Sequence, residues 1–185
     1  MKRLVVLTAV FCLLSIAALA QKAPDFSGEW TLDKAKSTLS ERMQSIESMT
    51  MSVAQTDKDL KVTSSVKRGA PPAGAPAGGG GGGGRGMGGG MGDQTLTYTL
   101  DGKEGSADVP GPGGSTSVVK TTAKLDGVKL SLTNARTFNT PNGEFKSTTT
   151  ETWELQADGS LKVKRNAESP RGAESNDLVF TKKTK

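Results

Sequence analysis

Apolar and polar residues alternate with a period of two along most of the chain after residue 25. Phe26, Gly28, Trp30 and Leu32 alternate with Ser27, Glu29 and Thr31. Met49, Met51 and Val53 alternate with Thr50 and Ser52, and Leu60, Val62 and Val66 follow a Thr56-Asp57-Lys58-Asp59 turn. Leu96, Tyr98 and Leu100 alternate with Thr95, Thr97 and Thr99. Further on come Val119 to Leu125, Val128 to Phe138, Phe145 to Leu155, Leu161 to Arg165, and finally Leu178 with Phe180. Alternate side chains of a strand point to opposite faces. The pattern therefore predicts nine strands, each with one face to bury.

The turns between these segments are short. Asp126-Gly127 is a two-residue hairpin signal. Read as the turn itself, it sets Leu125 opposite Val128 and Ala123 opposite Leu130. Pro141-Asn142-Gly143 marks a second turn. If Ala157-Asp158-Gly159 is a three-residue loop closed by Gln156 and Ser160, then Trp153 faces Val163 and Glu151 faces Arg165. Short hairpins and period-two strands imply an all-β, antiparallel domain. Such a sheet buries its apolar face by curling into a barrel or splitting into a sandwich. Meander connectivity favours a single up-and-down barrel of about eight to nine strands.

Two segments depart from the strand pattern. Leu39, Met43, Ile46 and Met49 recur at helical spacing, after Ser37 and Ser40 as candidate caps. They predict either a short helix over a barrel mouth or an irregular connection packing its methionines. Residues 69–93 read GAPPAGAPAGGGGGGGRGMGGGMGD and hold fourteen of the 24 glycines. A segment with so few side chains to pack is expected to be a disordered loop inside the domain, because ordering it has a high entropic cost. It lacks the Gly-Lys-Ser/Thr of a phosphate loop. Arg85 alone is thin support for RNA binding, and Met87 and Met91 make a poor Cu(I) site.

Residues 1–20 have a basic head, Met1-Lys2-Arg3, then a nearly unbroken apolar run ending Ala18-Leu19-Ala20. This is the pattern of a signal peptide cleaved before Gln21, and the run is short for a membrane span. The protein is expected to be exported to the periplasm or outside the cell, with no stable membrane insertion after cleavage. The one cysteine, Cys12, leaves with the leader. So do Lys2 and Arg3, two of the formal +5 charges, leaving +3, with Lys182, Lys183 and Lys185 clustered at the end. A near-neutral body has no nucleic-acid footprint. Histidine is absent, which excludes the His-based triads and the commonest zinc sites. No cofactor and no metal site is expected. Asp25, Glu29, Asp33 and Glu151 are the residual candidates for carboxylate hydrolysis, and a non-enzymatic role is preferred.

Inward positions toward the end of the chain change from apolar to polar. Asn134, Arg136, Ser147, Thr149, Glu151 and Arg165 share the face of Leu130, Trp153 and Val163. An unpaired charge inside a core is costly. Glu151 and Arg165 should therefore form a closed pair or reach water at a cavity.

The opening DFSGEW, residues 25–30, resembles the Gly-x-Trp start of lipocalin-type barrels. With DFSGEWTLDKAKS near the front and ETWELQADGSLKVKR near the back, the chain resembles exported bacterial lipocalin-like (calycin-type) proteins of unassigned activity. The resemblance implies a barrel and carriage of a small apolar ligand. In lipocalins a late arginine stacks on the tryptophan, and Arg165 or Arg171 is the counterpart here. The lipocalin Thr-Asp-x-x-x-Tyr segment is missing, because no tyrosine follows Thr56-Asp57.

These observations lead to an exported barrel binding a small hydrophobic or amphipathic ligand. The candidate interior is Trp30, Tyr98, Asn134, Arg136, Thr149, Glu151, Trp153 and Arg165. The alternative is a structural or interaction module of the cell envelope with a packed core. A connected cavity of a few hundred Å3 would separate the two.

Overall fold

The computed structural model describes residues 23–69, 93–110, 116–140, 143–170 and 172–183. The expected signal peptide, and all of the glycine-rich insert but its ends Gly69 and Asp93, lie outside the described residues. One ten-stranded antiparallel sheet makes up the fold. Its strands are β1 Gly28–Leu32, β2 Ile46–Gln55, β3 Asp59–Arg68, β4 Gln94–Thr99, β5 Gly105–Pro110, β6 Thr116–Asp126, β7 Lys129–Thr140, β8 Gly143–Leu155, β9 Leu161–Ser169 and β10 Gly172–Lys182. The order across the sheet is β4-β3-β2-β1-β10-β9-β8-β7-β6-β5. Consecutive strands pair throughout except β4 and β5, which are left as the two edges, and β1 pairs with β10.

The edges come together, so the sheet is a nearly closed barrel. Thr121 on β6 is 1% exposed, and its hydroxyl donates to the Thr97 carbonyl oxygen on β4 at 2.8 Å. This side-chain bond spans a seam that no backbone ladder closes. The strand missing from the sequence reading is β5. Its sequence, GSADVP, has one large apolar residue, Val109, and a closing proline. Proline is tolerated because β5 is an edge strand.

Registers follow the turns, with one correction. Gln156 and Ser160 close the Ala157-Asp158-Gly159 loop through the Gln156 N–H to Ser160 oxygen bond at 2.8 Å. Trp153 accordingly pairs with Val163 and Glu151 with Arg165. At the β6–β7 hairpin the turn is Gly127-Val128, not Asp126-Gly127. Asp126 pairs with Lys129, Leu125 with Leu130 and Ala123 with Leu132. Gly127 takes φ 59, which a glycine adopts without strain, and Val128 sits exposed in the turn. A shift of two residues in register keeps side chains on the same face. The inward set of β7 is therefore as the alternation indicated.

The predicted helix shrinks to four residues, α1 Glu41–Gln44. Ile46 opens β2 and Met49 lies within it, so helical spacing was coincidental for these two residues. Ser40 is the N-cap without a side-chain cap bond. The Ser37 hydroxyl instead donates to Asp33 O at 2.6 Å and accepts from Val179 N at 2.9 Å. The Ser40 N–H donates to Asn176 Oδ1 at 2.6 Å, which ties α1 to β10. Met43 is 1% exposed, so α1 covers part of the barrel end from which the β3–β4, β5–β6, β7–β8 and β9–β10 connections leave.

Phe26 plugs the opposite end. It is fully buried and meets Trp153 edge to face at 6.0 Å between ring centroids. Its carbonyl accepts from Trp30 Nε1 at 2.9 Å, and its N–H donates to Gln55 Oε1 at 2.9 Å. Lys182 Nζ lies 5.3 Å from the Trp30 ring centroid. Of the two arginines read as the stacking partner from the lipocalin resemblance, only Arg165 is described, and it does not take that place. Arg165 is engaged with Glu151, and Arg171 lies outside the described residues. Gly28 holds a backbone φ of 140 that other residues rarely adopt, and an added Cβ there would also stand 2.5 Å from Lys182 Cε, the movable end of a flexible side chain.

Candidate functional site

The interior holds a void that joins polar to apolar walls. Its apolar lining is Met49, Met51, Val62, Leu96, Leu132 and Trp153, and its polar lining is Ser64, Gln94, Tyr98, Asn134, Glu151 and Arg165. These come from β2, β3 and β4 on one side and β7, β8 and β9 on the other. Its volume is about 30 Å3. A site for a drug-sized ligand needs about 300–1,000 Å3, whereas a space of a few tens of Å3 suits about one water. The barrel as described is therefore almost filled by its own side chains.

At the centre of the polar wall stands Glu151. Its Oε2 accepts from Trp153 Nε1 at 2.8 Å, and its Oε1 accepts from Arg165 at 3.3 Å. The two charged side chains are 16% and 5% exposed, so the pair is closed rather than solvated. Strand geometry produces this arrangement. Glu151 and Trp153 are two apart on β8 and share a face, and Arg165 lies directly across on β9. The alternation of β8 thus supplies a donor for one carboxylate oxygen, and the β8–β9 register a donor for the other.

Tyr98, 4% exposed, reaches into the void from β4 and has Asn134 as hydrogen-bond partner. Burial, and secondarily the negative Glu151, push its phenol pKa up, against the Asn134 bond and the Arg165 charge. Tyr98 therefore stays protonated. Arg136 and Thr149 lie on the same inward face, paired in register with Ser147 and Asn134 respectively. Arg136 donates to Gln94 Oε1 at 2.9 Å, a bond that crosses the interior from β7 to β4.

Five of the eight residues picked from sequence line the void: Tyr98, Asn134, Glu151, Trp153 and Arg165. Trp30 packs at the plugged end, Thr149 is buried beside the cluster, and Arg136 sits toward the α1 end, linked to the void through Gln94. The sequence reading missed the contribution of β2 and β3. Met49, Met51, Val62 and Ser64 lay in alternating segments, and their parity alone placed them inside. What parity could not give was which stretch of the barrel wall faces Glu151.

Among the described residues no group of three carboxylate, histidine or cysteine side chains could hold a metal ion. The hydrolytic candidates are dispersed, with Glu29 exposed on β1, Asp33 beyond its end, and Glu151 inside.

No family model matches the chain, and no curated protein matches it. Among solved structures, it is similar to the zebrafish ileal bile acid-binding protein complexed with cholic acid. Identity is 16% over 85% of this chain and 98% of that one, with a TM-score of 0.47.

Proposed function

We propose that this chain is an exported, non-enzymatic β-barrel that takes a small hydrophobic or amphipathic molecule into its interior. The observation that carries the reading is the mixed lining of the void. A barrel built only to be stable fills its interior with hydrocarbon, because buried charges cost desolvation. Here an ion pair, a phenol, two amides and a serine converge on one space. Opposite them stand Met49 and Met51, whose unbranched, flexible side chains repack readily around another molecule. A ligand would occupy this space by displacing the two methionines, with the polar wall orienting it.

The size of the void favours a second reading. A space of about 30 Å3 inside a plugged barrel suits a structural or interaction module of the cell envelope that binds nothing within. Tryptophan fluorescence separates the two, because Trp153 lines the void. Titration with a homologous series of n-alkyl alcohols should give saturable, one-to-one spectral changes that strengthen with chain length. Linear, non-saturating changes throughout the series would favour the filled module.

A further inference from the structure

Among the described residues two arginines face the interior of this barrel, and their surroundings differ. Arg165 is buried against Glu151, which neutralises it. Arg136 is half-buried toward the α1 end, and among the described residues it has no carboxylate partner. Its contacts are the neutral amide of Gln94 at 2.9 Å and the face of Phe138, 5.6 Å from the guanidinium carbon. Ser147, directly across on β8, is also neutral. Burial lowers the Arg136 pKa, as expected for a cation partly removed from water without a compensating charge.

From this asymmetry we infer that Arg136 is the head-group site for an amphipathic anion, a carboxylate or a phosphate monoester on a single alkyl chain. The inference rests on the binding reading above and specifies its ligand. It also fixes an orientation. The deep end of the void is already charge-balanced by Glu151 and Arg165, and Tyr98, Leu96, Leu132 and Trp153 stand around that pair. An anion placed deep would meet the Glu151 carboxylate, whereas at Arg136 it meets an unneutralised planar donor suited to bidentate binding. The anionic head therefore lies toward the α1 end beside Gln94 and Phe138, and the alkyl chain runs inward past Met49 and Met51.

The test uses the purified mature chain with four probes of one chain length: decanoate, decyl phosphate, decanol and decyltrimethylammonium, read by tryptophan fluorescence and calorimetry. Decanoate and decyl phosphate should bind about tenfold or more tighter than decanol, with the cation weakest. Raising ionic strength from about 10 mM to about 0.5 M should weaken the anions and leave decanol unchanged. Arg136→Gln should reduce the anions to the affinity of decanol without altering decanol itself, and Arg136→Lys should restore part of the preference. A wild-type protein that binds all four probes alike, or without salt dependence, overturns the inference while leaving the barrel a binding protein. So does an Arg136→Gln variant that keeps the preference. If no probe binds, both the inference and the function it rests on fail. The salt series uses only wild-type protein, so a misfolded variant does not remove the test.

Discussion

Arg165 stands directly across from Glu151 on neighbouring strands, and its guanidinium meets one carboxylate oxygen at 3.3 Å. The other oxygen is held by the Trp153 indole at 2.8 Å. Removing one partner leaves the other's charge in the interior without its counter-charge. Glu151→Leu should therefore destabilise the barrel by about 3–5 kcal/mol in urea unfolding. Replacing both partners, Glu151→Leu with Arg165→Met, should recover most of that loss, because an apolar pair has no desolvation cost. A double variant no more stable than Glu151→Leu would show that the pair acts through more than its mutual charge.

The seam between the sheet edges is tied by the bond from the Thr121 hydroxyl to the Thr97 carbonyl at 2.8 Å. Thr121→Val keeps the side-chain shape and removes the bond. The expected cost is about 1 kcal/mol, since one buried hydrogen bond contributes roughly that net amount. Hydrogen exchange should rise in β4 and stay native in β8 and β9. Uniformly increased exchange would mean that the seam opens only with global unfolding.

Tyr98 is the one tyrosine of the chain, so its titration can be read directly by ultraviolet absorbance. In the folded protein its pKa is raised above the ordinary phenol value of about 10. The unfolded chain therefore releases its phenolic proton first as pH rises. The stability linked to Tyr98 is intact below about pH 10 and falls above it. Native protein at pH 10.5 should show almost no phenolate absorbance, and the signal should appear together with unfolding. A reversible phenolate titration near pH 10 with the fold intact would place Tyr98 in water.

At the plugged end, Gly28 and Lys182 separate two effects. Gly28→Ala introduces a methyl against Lys182 Cε and places alanine at a φ of 140. A flexible lysine can move aside, but the backbone cannot relax as easily. The variant should cost about 1–3 kcal/mol, the range for backbone held in sparsely populated regions. Combining it with Lys182→Ala should not restore stability. Full rescue in the double variant would assign the cost to the lysine contact instead.

Most of this architecture was legible in the chain because alternation and turn chemistry are local signals. The Ala157-Asp158-Gly159 loop fixed the β8–β9 register and with it the Glu151–Arg165 pair. Where local signals were weak, the reading faltered. GSADVP carries too little apolar character to announce β5, which exists because β6 offers it a ladder. Met43, Ile46 and Met49 fit a helical spacing, yet pairing with β3 pulls Ile46 and Met49 into a strand. Asp126-Gly127 signalled a hairpin correctly but not which pair of residues sits at its tip. The candidate site was half visible. Its charged wall lay in one hairpin, whereas Gln94, Ser64 and the methionines face it only once the sheet has curled. The void's small volume depends on how side chains fill the interior, which no period or motif reports.

The central claim is that this nearly filled interior opens to admit one small molecule. Native mass spectrometry of the protein, as purified and after exposure to excess decanoate, tests it most directly. The account expects the chain together with a one-to-one adduct, and it expects collisional activation to release the adduct before the barrel unfolds. A spectrum showing only the bare chain under both conditions, with the charge-state distribution of a folded protein, would contradict the claim and leave a packed structural barrel.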